Sequence, residues 1–284
     1  MRKYLNMALR HFGYEMQPIR RNVLSSKVTA SQSPLLQSTQ LLAGQPLKEP
    51  AAAGNPLAQY FSVHAAADLN KWFHYFDVYH RWFAPFREQK NLRVLEIGVS
   101  KGGSLSMWRG YFGQSATIVG VDINPDCQRH ENPNAQIFVR IGSQADDVFL
   151  KAIMAEFGPF DIVIDDGSHA SVHQIASLQT LYVHGLKDEG VYLVEDTHTS
   201  NWEVAKDSMP IESTFIHYAK QLIDRMHEPY DQYYDVRHFD LHNPMRAMSC
   251  SASYFCAHTK GIYFADSMVV FEKSARCLPV HETR

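Results

Sequence analysis

The stretch FDIVIDDGSH, residues 160–169, runs an apolar segment into two carboxylates, a glycine, a serine and a histidine. A second acidic pair, Glu195–Asp196, ends the run VYLVED. A buried strand has no structural use for paired acids at its tip. Like charges held close together repel and raise each other's pKa. A divalent cation removes that repulsion, and oxygen ligands of this kind suit magnesium, manganese or calcium. Either pair alone could instead cap a helix or meet a lysine. Two pairs, one of them followed by Gly-Ser-His, point to a metal site.

A second group of residues has a different character. The run LEIGVSKGGS places Glu96 and Gly98 before Gly102, Gly103 and Ser104. A glycine-rich turn after a strand lets a ligand approach the backbone. The spacing is not GxGxxG, which argues against a dinucleotide. Asp122 ends the next apolar run, in GVDIN, where a carboxylate can accept hydrogen bonds from two ribose hydroxyls. Ser143 and Gln144 follow the third run. Together these residues predict a nucleoside pocket.

The elements that must carry both groups alternate along the chain. Strands are expected at 92–99, 117–123, 136–143, 160–166 and 190–196, with helices between them at 103–113, 146–158 and 170–186. Alternation at this spacing predicts an α/β, Rossmann-like doubly wound sheet, mainly parallel. The segment GIYFADSMVVFEK reads as a C-terminal antiparallel hairpin turning at Asp266 and Ser267. Ligands bind outside the carboxyl ends of strands in such sheets, and both acidic pairs fall there. The aromatic stripe Trp72, Phe76, Tyr79, Phe83 and Phe86 predicts an amphipathic helical cap over 68–88, with His74 and Tyr75 beside a pocket. His173 is expected on a helix face, and His198 is a candidate for the site wall. Residues 203–250 are expected to be helical to about Met226 and then irregular.

The bulk composition narrows the partners. A formal charge of −3 over 284 residues gives no global reason to bind nucleic acid. Four scattered cysteines without a CxxC pair read as reduced thiols of a cytoplasmic protein. Residues 1–28 hold six basic side chains against Glu15. They read as a solvated tail or dimer arm, with peripheral contact to an anionic membrane as the alternative. Residues 29–59 are rich in Ser, Gln, Ala and Pro and read as a flexible linker. The expected organisation is a basic segment and linker over 1–59 and one domain over 60–284.

The ordered set KWFHYFDVY, LEIGVSKGGSLSMW, GVDI, IGSQAD, IDDGSH and VYLVEDTHTSNW resembles the class I S-adenosylmethionine-dependent methyltransferases. More narrowly, it is similar to the magnesium-dependent O-methyltransferases that modify sugar hydroxyls of macrolides and other glycosylated natural products, a group that includes the cephalosporin hydroxylase-like proteins. The resemblance runs from about Lys71 to Lys273. It implies that Asp166, Glu195 and Asp196 are metal ligands and that His169 is the general base. It also implies that Glu96, Gly98, Gly102, Ser104, Asp122, Ser143 and Gln144 lie in the cofactor-binding motifs, with Asp165 on the cofactor side. The cofactors implied are S-adenosylmethionine and Mg²⁺, or Mn²⁺ or Ca²⁺ in its place. The partners implied are a small-molecule or glycan acceptor and a second copy of the chain in a homo-oligomer. The alternatives are a catechol-like O-methyltransferase and a non-catalytic methyltransferase-like protein.

Overall fold

A computed structural model of the chain describes residues 54–64, 68–206, 208–231 and 252–277. The basic N-terminal segment, most of the expected linker and the part after Asp231 of the stretch expected to be irregular lie outside the described residues. The elements are α1 (Pro56–Val63), α2 (Tyr75–Phe83), β1 (Arg93–Ile97), α3 (Gly103–Phe112), β2 (Thr117–Asp122), β3 (Ile137–Ile141), α4 (Asp147–Phe157), β4 (Phe160–Asp165) and α5 (Ser171–His184). They continue with β5 (Leu186–Val194), α6 (Thr199–Ala205), α7 (Phe215–Met226), α8 (Glu228–Asp231), α9 (Tyr254–His258), β6 (Thr259–Ala265) and β7 (Met268–Lys273). The seven strands form one sheet in the order β3-β2-β1-β4-β5-β7-β6. β1 to β5 pair in parallel. β7 runs antiparallel to β5 and is joined to β6 by the Asp266–Ser267 turn. Among the described residues no helix is long and apolar enough to cross a membrane.

Alternation along the strands divides the core into two layers. Val94, Ile118, Ile162 and Leu193 face α1, α2 and α3, where Leu57, Tyr79, Phe83 and Trp108 are fully buried. Leu95, Val119, Val163 and Tyr192 face the opposite layer, which contains Leu150, Leu178, Leu181 and Phe215. All six residues of β4 are buried, as expected for a central parallel strand covered on both sides.

Two expectations need correction. The cap helix begins at Tyr75, not near Asp68, because residues 68–71 are drawn along the cleft by contacts described below. The domain also begins before residue 60. Asn55 caps α1 by accepting from the backbone N–H of Leu57 at 3.0 Å, and its own amide donates to Phe76 O at 2.9 Å. Leu57 is 0% exposed, so this helix is part of the core.

Candidate active site

The chain order reverses at β1, which lies between β2 and β4. In such a sheet the crevice opens at the carboxyl ends of the strands on either side of the reversal. A cleft of two adjoining hollows that share Gly98, Asp122 and Gly167 is found there, bordered by Gly98 after β1, Asp122 and Ile123 at β2, Gly142 to Gln144 after β3, and Asp166 to His169 after β4. Asp68, Leu69 and Asn70 form its outer wall. Two glycines allow the chain to pass so closely. Gly98 has φ +97°, and a Cβ there would sit 2.0 Å from Asp166 O. A Cβ on Gly167 would meet Gln144 Oε1 at 2.2 Å.

At one end of the cleft Asp122 is fixed by three backbone donors. Val99 N and Ser100 N reach Oδ2 at 2.9 Å each, and Asn124 N reaches Oδ1 at 2.8 Å. Partial burial works against the charge. The three N–H groups prevail and hold the carboxyl below its ordinary value. The carboxylate is thus ionised and oriented before any ligand arrives. Gln144 is pinned from both sides: its amide donates to Asp165 Oδ1 at 3.0 Å, and its carbonyl accepts from Ser168 N at 2.8 Å. His173, on the helix α5 as expected, lines this end of the cleft, with Nδ1 2.8 Å from Ser168 Oγ.

At the other end Asp166, His169 and Asp196 converge, each offering one ligand atom within 4.8 Å of the others. His169 Nε2 lies 3.4 Å from Asp196 Oδ2. Asp196 Oδ1 accepts from the Tyr75 hydroxyl at 2.6 Å, and Thr199 Oγ1 donates to His169 O at 2.8 Å. His198 lies 4.0 Å from Asp196 and stacks on Trp72, their ring centroids 4.6 Å apart. Trp202 meets the same imidazole edge-on at 4.6 Å. Trp72 and Trp202 are 45% and 54% exposed, so an open aromatic wall adjoins the acidic cluster.

Glu195 stands apart from that cluster. It is 1% exposed, and Oε2 accepts from Lys71 Nζ at 2.8 Å. Lys71 also donates to Asp166 Oδ2. Burial disfavours the ammonium, but the charges of Asp166 and Glu195 override it and raise its pKa. Burial, then the neighbouring Asp166 charge, pushes the Glu195 carboxyl well above its ordinary value. The Tyr79 hydroxyl is buried beside Glu195, within reach of its carboxylate. The carboxylates of Asp166 and Asp196, with Glu195 beside Asp166 through Lys71, make a donor set that fits an oxygen-ligated divalent cation. Lys71 carried no local signal in the sequence, because its partners lie 95 and 124 positions away.

Four residues expected on the cofactor side turn away from the cleft. Glu96 is fully buried and accepts from Ser104 Oγ at 2.7 Å and Trp108 Nε1 at 3.0 Å. Those bonds tie β1 to α3, and burial pushes the Glu96 carboxyl up to about 7. Ser104 is occupied by the same bond. Asp165 is fully buried against Gln144, Ser177 and Tyr192, where burial raises its pKa. Gly102, at φ +76°, starts α3 against the His130 ring. All four support the loops instead of lining them. Gly98, Asp122, Ser143 and Gln144 do line the cleft.

No family model matches the chain. It is 38% identical over 161 residues to 8-demethyl-8-alpha-L-rhamnosyl tetracenomycin-C 2'-O-methyltransferase of Streptomyces olivaceus, covering 54% of this chain and 41% of that protein. It is 36% identical over 189 residues to the corresponding 3'-O-methyltransferase from the same organism, covering 62% and 47%. Thus the chain spans somewhat less than half the length of these curated relatives. The solved structure of the MycE methyltransferase from the mycinamycin biosynthetic pathway, in complex with Mg, SAH and mycinamycin VI, superposes with a TM-score of 0.63. The identity is 28%, with coverage of 78% of this chain and 54% of that one. The domain therefore has the class I methyltransferase fold, and the chain is a homologue, over part of their length, of the sugar O-methyltransferases of tetracenomycin and macrolide biosynthesis.

Proposed function

We propose that the domain is a metal-dependent O-methyltransferase that moves a methyl group from S-adenosylmethionine to a hydroxyl of a glycosylated small molecule. The observation that carries this reading is the convergence of Asp166, His169 and Asp196 on the same cleft that Asp122 borders. Asp122, Gly98, Ser143 and Gln144 would hold the nucleoside, with Asp122 accepting from the ribose hydroxyls. Asp166 and Asp196 would hold the divalent ion, with Glu195 behind them. Bound there, the two groups supply an electrophilic sulfonium methyl and a Lewis acid toward the acceptor hydroxyl.

The protein's own residues then have defined tasks. His169 takes the acceptor proton at an imidazole nitrogen; a positioned base typically contributes about 10²- to 10⁴-fold. Tyr75 and Thr199 hold the base and its carboxylate neighbour in register, through Asp196 Oδ1 and His169 O. The Trp72–His198–Trp202 wall gives the apolar face of a sugar or its aglycone a surface to lie on.

The test is titration calorimetry of S-adenosylmethionine into the protein with Mg²⁺ and then with chelator, followed by methyl transfer to a panel of glycosides. Binding together with Mg²⁺-dependent methylation of a glycoside is the expected outcome. Absence of cofactor binding under both conditions would remove the methyltransferase reading.

A further inference from the structure

Lys71 is the one residue of the acidic cluster that the proposed mechanism does not use. Its side chain is 3% exposed. Lysine is almost never buried unless paired, and here Nζ is shared between Asp166 Oδ2 and Glu195 Oε2. The ammonium also lies 5.8 Å from the centroid of the Tyr79 ring. Its backbone belongs to the non-helical stretch whose preceding residues, Asp68 to Asn70, wall the cleft.

We propose that Lys71 is a tethered internal cation that competes with the divalent ion for the carboxylates. This rests on the metal-dependent reading above. In the metal-free protein the ammonium bridges Asp166 and Glu195, so the loops after β4 and β5 keep their places without a bound ion. When a divalent ion binds at Asp166 and Asp196, it does so against the positive charge of Lys71. Lys71 is therefore a positioning residue that weakens metal affinity and stabilises the metal-free site.

The prediction is counter-intuitive for a residue inside a metal site: removing it tightens metal binding. Lys71→Met keeps the apolar stem and deletes the charge. In a partly desolvated cluster, loss of one repelling charge a few ångströms away is expected to tighten Mn²⁺ binding by at least about tenfold. Mn²⁺ binding to wild type, K71M, K71R and D166N is measured by the electron paramagnetic resonance of the free ion. Circular dichroism and S-adenosylhomocysteine binding report folding. K71R is expected to stay near wild type, and metal-free K71M to melt at a lower temperature that Mn²⁺ restores. A folded K71M that binds Mn²⁺ no more tightly than wild type overturns the proposal. If K71M folds only with metal, folding induced by Mn²⁺ supports it and failure of Mn²⁺ to restore structure overturns it. Binding by K71M with none by wild type also supports it. The metal reading fails separately if D166N binds Mn²⁺ as wild type does, or if no variant binds at all; the Lys71 proposal falls with it.

Discussion

His169 Nε2 and Asp196 Oδ2 face each other at 3.4 Å, and both residues hold left-handed backbone, with φ +57° and +52°. Left-handed φ is uncommon outside glycine, and such strain persists only where surrounding contacts over-determine it. Here Thr199 grips His169 O, and Tyr75 grips Asp196 Oδ1. The two strand-end loops are thereby bent toward each other across the cleft.

His169→Ala should retain cofactor and metal binding while turnover falls by about 10²- to 10⁴-fold. Initial rates paired with calorimetry check this. Near-normal turnover would remove His169 from the role of base.

Replacing Asp122 with alanine removes an ionised acceptor that would meet two hydroxyls. A hydrogen bond to a charged group is worth about 1.5–3 kcal/mol, so S-adenosylmethionine affinity should fall by roughly 10- to 100-fold. The dissociation constant measured by calorimetry is the readout, and metal affinity should not change.

Gly98→Ala puts a methyl group 2.0 Å from Asp166 O at a φ of +97°. Neither the backbone of β4 nor that of β1 can move without disturbing the ladder between them. A loss of several kcal/mol of stability is expected. A thermal melt within a few degrees of wild type would contradict the close approach.

The Glu96 carboxyl is raised from an ordinary 4.5 to about 7, first by burial and then by the nearby Asp166 charge, with Lys71 opposing. The folded protein therefore binds this proton more tightly than the unfolded chain does. Stability from this group is full below about pH 4.5, declines as pH rises toward 7, and is lost above it. Glu96→Gln should flatten that part of the stability–pH curve, by roughly 2–3 kcal/mol across the window. Urea denaturation from pH 5 to 8 would show it; an unchanged slope would refute the assignment.

Trp202→Ala removes half of the exposed aromatic wall without touching Asp196. KM for a glycoside acceptor should rise by about tenfold with little change in cofactor affinity. Such a loss is the size expected for one buried aromatic contact of about 1.5 kcal/mol. Steady-state kinetics with the acceptor varied, and cofactor binding as control, decide it.

The sequence by itself determined the sheet. Alternating apolar runs and helices fixed five parallel strands, because period-two burial on two faces leaves little other choice. It also put the two acidic pairs at strand tips, since chain order and strand length alone decide where a run such as FDIVIDD ends. The left-over roles were decided in three dimensions. Asp165 and Asp166 are adjacent, yet the pleat sends one into the core against Ser177 and the other into the cleft. Glu195 and Asp196 also divide, but through the left-handed backbone at Asp196 beyond the end of β5, one to Lys71 and one to His169 and Tyr75. Glu96 looked like a cofactor ligand because it sits near the end of the first strand, before the glycine-rich turn, but Ser104 and Trp108 claim both of its oxygens. Lys71 could not be found from spacing at all. Its partners come from strands far along the chain, and only the packing of residues 68–74 over the ends of β4 and β5 brings the ammonium to them.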